Sequence, residues 1–393
     1  MSSKNFVIQF LLKRITRFAW VSVFGCVILF NSCSGTANTS KDPNDTIPSL
    51  CEVYEDFFPI GVSVAMKTLN DSMDRTMILK HFNSITSENY MKWEFIHPQP
   101  GIYDFAAADS FVEFGQNNNM YIVGHVLVWH SQTPKWVFQD EEGNKASPEL
   151  LLQRMKEHIS NVVGRYRGKV HAWDVVNEAV GDDGKIRKNI WYDILGEEYV
   201  YKAFEFARDA DPDAELIYND YSVPTPVKRD GIVRLVENIQ NSGSDIDAVG
   251  LQAHYHLDYP TLEDLDDCLQ AFADLGLNVA ITELDINVLP NPKGRVGADV
   301  RLSYEFQEKY NPYTEGLPDS IQTLLADRYK NFFEVFLKYR DNVSRVTLWG
   351  IQDGQSWKNN WPIRGRTNYP LLFDRQYQPK KAFWELVNLA EEN

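Results

Sequence analysis

Eight short apolar runs, each followed by a longer amphipathic stretch, predict an α/β chain folded as a single (β/α)8 TIM barrel. The runs are Pro59–Val64, Ser84–Glu88, Tyr121–Trp129, Val170–Asn177, Glu215–Asn219, Ala248–Ala253, Val279–Glu283 and Arg345–Gly350. Most lack in/out alternation, as parallel strands covered on both faces do. Between them lie helical patterns. In Leu150–Tyr166, Leu151, Met155, His158, Ile159, Val162 and Val163 fall at helical spacing. Leu262–Leu275 follows Thr261, an N-cap with Asp264 three residues on, and Gly276 supplies the C-cap. Ser320–Tyr339 and Pro379–Ala390 complete the alternation, with Pro379 expected in the first turn. No composition break or internal repeat divides this region, so residues 52–393 are expected to form one domain.

The N-terminus reads as an address. Lys4, Lys13, Arg14 and Arg17 precede the apolar stretch Phe18–Phe30, which is shorter than the ~20 residues that span a bilayer. A basic segment followed by a short apolar one is an export signal, expected over residues 1–32. Its end, Asn31-Ser32-Cys33-Ser34, resembles the lipobox of bacterial lipoproteins. That resemblance implies cleavage before Cys33, lipidation on it, and a protein anchored to a bacterial membrane at the periplasmic or cell surface. An ordinary signal peptide, or an uncleaved anchor, is the alternative. Residues 33–51, rich in Ser, Thr, Asn, Asp and Pro, are expected to be a flexible tether.

Composition excludes several classes of partner. A net charge of -16 disfavours nucleic acid, whose binding is driven by basic patches. Hydrophobic residues at 44% and charged residues at 24% are ordinary for a globular chain. Cys51 and Cys268 are the cysteines of the body; far apart in sequence, they form neither a disulfide framework nor a zinc spacing. One pairing between them stays open, but two unpaired buried thiols and no structural metal are expected, with a monomer as the default state.

In such barrels the active site forms at the carboxyl ends of the strands. Those ends read Glu88-Asn89 with Lys92; His125 to Trp129-His130 with Gln132; Asn177-Glu178; Gln252-Ala253-His254; Glu283-Leu284-Asp285; and Trp349, with Trp357 soon after. A lone Glu or Trp at such a place is usually a solvated group or core. Here carboxylates, imidazoles, amides and indoles recur at the same end of at least five strands and would converge on one cleft. Two carboxylates with amides and indoles suit glycosidic bond cleavage, where one carboxyl protonates the leaving oxygen and the other attacks the anomeric carbon.

Together these motifs resemble glycoside hydrolase family 10, the β-1,4-xylanases, over essentially the whole of Phe58–Asn393. The segments that carry the likeness are Gly124–His130, Trp173–Ala179 and Ile281–Asp285. The resemblance implies a retaining endo-β-1,4-xylanase acting on xylan and xylo-oligosaccharides without a cofactor. Glu178, at the end of the fourth strand, would be the acid/base, and Glu283, on the seventh, the nucleophile. Asn177 would bond the sugar 2-hydroxyl, His254 would contact Glu283, and Asp285 would fix that imidazole. Glu88, Asn89, Lys92, His125 and Gln132 would hydrogen-bond the sugars on the non-reducing side of the cut. Gln252 would bond the sugar near the nucleophile. Trp129, Trp349 and Trp357 would pack against the sugar rings, with Trp349 and Trp357 excluding the hydroxymethyl branch of glucose. Trp93 and Trp173 are assigned to the core, and a cis peptide is expected at His125–Val126.

Two places depart from the family pattern. Ser222 follows Asn219-Asp220-Tyr221 where Asn is usual, and Lys358–Tyr369 is longer than average, a lid, a branch-binding loop or a solvated loop. Three other readings stay open: a related barrel β-1,4-glucanase, a non-catalytic glycan-binding lipoprotein, and an intracellular metabolic barrel enzyme. The Lys92, His125 and Trp357 set disfavours the first, and the presence of both glutamates the second. The export signal, with no phosphate-binding signature, disfavours the third.

Overall fold

The computed structural model describes residues 47–291 and 309–393. The expected leader, Cys33 and most of the expected tether lie outside the described residues. The strands are β1 (Ile60–Val64), β2 (Ser84–Ser87), β3 (Tyr121–Trp129), β4 (Ala172–Asn177), β5 (Glu215–Asp220), β6 (Ala248–Leu251), β7 (His254–His256), β8 (Asn278–Asn287) and β9 (Val343–Leu348). Their order is β6-β5-β4-β3-β2-β1-β9-β8-β7, and a further β6–β8 pairing closes the ring. Every ladder is parallel. This is the expected (β/α)8 barrel, and all eight apolar runs seed its strands.

The sixth barrel position differs from the single strand expected. β6 stops at Leu251, and Ala253 adopts φ 55° in the left-handed region. β7 then resumes and pairs with β8 in the register His254↔Asp285. A local break of this kind re-aims side chains, as a bulge does, and it falls where Gln252 and His254 enter the site.

The core is tightly filled. Trp173 is wholly buried, and a Cβ on Gly124 would lie 2.2 Å from its ring, so the glycine makes room for the indole. Gly250 does the same for a polar group: a Cβ there would sit 2.4 Å from Asn219 Oδ1. Trp93 is also core, 2% exposed and stacked on His158 with ring centroids 3.7 Å apart.

The helices follow their periodicity. Pro148–Arg165 is capped by Ser147, which accepts from the Leu150 amide, and buries all six residues predicted to face inward. Thr261 caps Leu262–Asp274 by accepting from the Asp264 amide, and Gly276 has φ 73°. The last helix, Lys381–Glu391, begins after Lys380, so Pro379 precedes the cap instead of sitting in the first turn as expected. The packed body also starts earlier than residue 52. Ser49 caps a short helix, Leu50–Val53, Leu50 is fully buried, and the Tyr54 hydroxyl donates to Leu386 O at 2.8 Å. Cys51 and Cys268 are unpaired.

Candidate active site

β8 carries the most buried part of the site. Glu283 and Asp285 point the same way because side chains alternate along a strand. His254 on β7 sits between them, with Nε2 at 3.2 Å from Glu283 Oε2 and Nδ1 at 3.1 Å from Asp285 Oδ2. Asp285 is wholly buried and also accepts from the Trp357 indole at 2.9 Å. Burial alone would strip His254 of its proton, but Asp285 and Glu283 reverse this and raise it to about 9. Burial likewise works against the charge on Glu283. The bond and charge of His254, with help from His125 and Asn219, outweigh it and hold the carboxyl below its usual range. Glu283 is therefore an ionised carboxylate in a nearly dry setting.

Glu178 ends β4 in a different environment. Its backbone is in the left-handed region at φ 57°, unusual for a residue with a side chain. Two contacts hold it there: its amide donates to Asn219 O at 2.9 Å, and its carbonyl accepts from Arg187 Nε at 3.0 Å. The carboxylate accepts from Gln252 Nε2 at 3.2 Å. His130 lies 4.0 Å away, but burial, with the nearby Arg187 charge, lowers its pKa to about 4, so near neutrality this contact is no ion pair. Amides connect the two glutamates. Asn219 Nδ2 donates to Glu283 Oε1 at 3.0 Å and to Asn177 Oδ1 at 3.1 Å. Gln252 Nε2 reaches the same Asn177 oxygen at 3.1 Å.

The opposite wall comes from β2 and β3. Lys92 Nζ donates to Gln132 Oε1 at 2.9 Å and Asn89 Oδ1 at 3.1 Å, and lies 5.2 Å from the Trp129 ring centroid. Burial lowers the Lys92 pKa, while Glu283, Glu88 and Glu178 oppose that change. His125 Nδ1 pairs with the buried Asp174 at 2.8 Å, which fixes its ring edge-on to Trp349. The peptide His125–Val126 is cis, as expected.

A cleft of about 740 Å³ opens over these groups. Glu88, Lys92, His125, Trp129, Asn177, Glu178, Gln252, His254, Glu283, Trp349 and Trp357 all line it. Asn89 and Gln132 are not in its lining; they hold Lys92. Asp285 lies behind His254. The sequence reading missed Asn219, the amide between the two carboxylates, which is fully buried; its one signal in the sequence was an Asn at the end of the fifth apolar run. It also missed Lys358 and Trp361 as lining residues, together with Asp182, Tyr221, His256 and Asn291. Ser222 lines the cleft at φ 51°, a conformation Asn adopts more readily than Ser. The Lys358–Tyr369 loop is tied down: Arg366 donates to the carbonyls of Pro290 and Trp361, and Asn368 Nδ2 to Asn287 Oδ1 at 2.6 Å.

Known proteins resemble this chain in sequence and in fold. An endo-1,4-beta-xylanase A of Xylanibacter ruminicola is 45% identical over 346 residues, covering 88% of this chain and 94% of that protein. A beta-1,4-xylanase of Dictyoglomus thermophilum is 45% identical over 343 residues, covering 87% and 91%. A solved GH10 endoxylanase retrieved from a sugarcane soil metagenome superposes with a TM-score of 0.82 at 46% identity, over 87% of this chain and 99% of that one. The sequence model of glycosyl hydrolase family 10 matches residues 49–389, and the chain belongs to that family of glycoside hydrolases.

Proposed function

We propose that this glycoside hydrolase is a retaining endo-1,4-β-xylanase, with Glu283 as nucleophile and Glu178 as general acid/base. The observation that carries the reading is the unequal setting of two carboxylates in one cleft. Glu283 is buried and held ionised by His254, whereas Glu178 faces the cleft among amide donors and a neutral imidazole. A nucleophile and a proton donor need that difference.

In the first step Glu283 attacks the anomeric carbon, the bond to the glycosidic oxygen breaks, and Glu178 gives its proton to that oxygen. In the second, water attacks the same carbon, Glu178 takes the water's proton, and the Glu283 ester is released. Asn177 would bond the 2-hydroxyl, and Lys92, Glu88, His125 and Gln252 would hold sugars along the cleft. Indoles fit this task because a pyranose has apolar faces and a polar rim. The relatives' names support xylan as the polymer, and a related structure is described as a complex with xylotriose. Outside the described residues, we propose an export leader over 1–32 and lipidation of Cys33, which labelled-palmitate incorporation lost in Cys33→Ser tests.

Reducing-sugar release from xylan and from cellulose, by the parent protein and by Glu283→Ala, tests the reaction. Release from xylan by the parent alone is the expected result. Release from cellulose alone would make the enzyme a glucanase, and release from neither would remove the catalytic reading.

A further inference from the structure

Lys358 is a lysine whose side chain is only 4% exposed, at the start of the loop that departs from the family pattern. Lysine is rarely buried without a partner. Its Nζ lies 3.2 Å from Asp285 Oδ1, on the opposite oxygen from the one facing His254, and 4.6 Å from the centroid of the Trp357 ring. A row of alternating charges results: Glu283, His254, Asp285, Lys358, with contacts of 3.2, 3.1 and 3.2 Å. The row sums to zero with Lys358 and to one negative charge without it. A buried carboxylate between two cations is compensated; the same carboxylate beside a single shared imidazole is not.

We propose that Lys358 is a positioning residue whose buried ammonium shares Asp285 with His254 and so leaves the imidazolium proton on Nε2 directed at the nucleophile. This rests on the reading of Glu283 as nucleophile. With Lys358 present, Asp285 divides its charge between two cations, with the Trp357 indole donating to Oδ2 beside them, and the Glu283 side of the imidazolium keeps its full hydrogen bond. Without it, Asp285 draws His254 toward Nδ1 and binds its proton harder. The same contact anchors the turn that carries Trp357 and, 5.1 Å further on, the exposed ring of Trp361 over the cleft. The charged groups facing His254 are Glu283 and Asp285 on β8 and Lys358 after β9, while His256, two residues along β7, lines the same cleft. Across the cleft His125 bears on Glu283. Among these, Lys358 opposes protonation of His254, consistent with the proposal.

The test compares the parent, Lys358→Met and Lys358→Arg by nuclear magnetic resonance of ring-labelled histidine, with the His254 signals identified by their loss in His254→Gln. In Lys358→Met the His254 titration should move upward, and in Lys358→Arg it should stay near the parent value. On xylobiosides, Lys358→Met should lower kcat on the order of ten-fold, and Lys358→Arg should recover most of it. Loosening of Trp357 alone would raise KM in both variants and leave the His254 titration in place, which would overturn the proposal. An unmoved titration in Lys358→Met would overturn it even if activity fell. Failure of the functional reading is separable, because an active Glu283→Ala refutes the nucleophile assignment whatever His254 does.

Discussion

Replacing Lys228 with Met should cost little stability at pH 5 and much more at pH 8. Lys228, on the helix Pro226–Asn241, is wholly buried, with Nζ 2.8 Å from the equally buried Asp220 and 3.4 Å from the Tyr221 ring centroid. Burial pushes the Asp220 carboxyl from 3.8 to about 6, although Lys228 pulls the other way. A folded-state pKa above the unfolded one means the fold prefers the protonated acid. The parent therefore loses about 3 kcal/mol from this group as pH rises from 4 to 6, and nothing more above that. Without Lys228 the carboxyl stays protonated to higher pH, so the loss continues at about 1.4 kcal/mol per pH unit. The extra cost of Lys228→Met should thus grow by about 3 kcal/mol between pH 6 and 8. Urea denaturation at pH 5, 6, 7 and 8 reads this directly, and Asp220→Asn/Lys228→Met should show no such growth. A cost that is the same at pH 6 and 8 would refute the reasoning. The effect reaches the site because Tyr218 hydrogen-bonds Asp220 and accepts from the Val180 amide at 3.0 Å, two residues beyond Glu178.

Further outcomes follow from the same geometry. His254 is raised from 6.5 to about 9, so its contribution of about 3 kcal/mol is fully present below pH 6.5 and lost as pH rises through 9. Denaturation of His254→Asn should lack that alkaline loss. Gly124→Ala would place a Cβ 2.2 Å from Trp173, and overpacking of this kind should destabilise by at least about 1–3 kcal/mol in a urea titration. Trp357→Ala should raise cellobioside hydrolysis relative to xylobioside hydrolysis; an unchanged ratio removes this indole from sugar discrimination.

The barrel was legible because its signal is periodic. Runs such as Tyr121–Trp129 are apolar on both faces, and helices such as Pro148–Arg165 repeat at helical spacing. The lining of the candidate cleft was legible where a charged or polar residue interrupts an apolar strand end, as at Glu178 and Glu283. Asn219 escaped because a neutral amide after a strand is ordinary; its meaning comes from Gly250 opposite, which opens the space it fills. The break between β6 and β7 depends on one left-handed residue, Ala253, and alanine carries no signal for that conformation. Lys358 was not singled out within its loop because its partner, Asp285, is more than 70 residues away in the chain. The early start of the body at Ser49 and Leu50 rests on a single buried leucine and one cap, too little to register against polar surroundings.

The most direct test of the central claim is to trap the covalent intermediate with a 2-deoxy-2-fluoro xylobioside bearing a good leaving group and to map the label by mass spectrometry. One 2-deoxy-2-fluoroxylobiosyl group per chain, on the peptide that contains Glu283 and absent from Glu283→Ala, is the predicted result. Turnover of xylan with no trapped adduct, together with release of the α-anomer first, would contradict the account and make the reaction inverting.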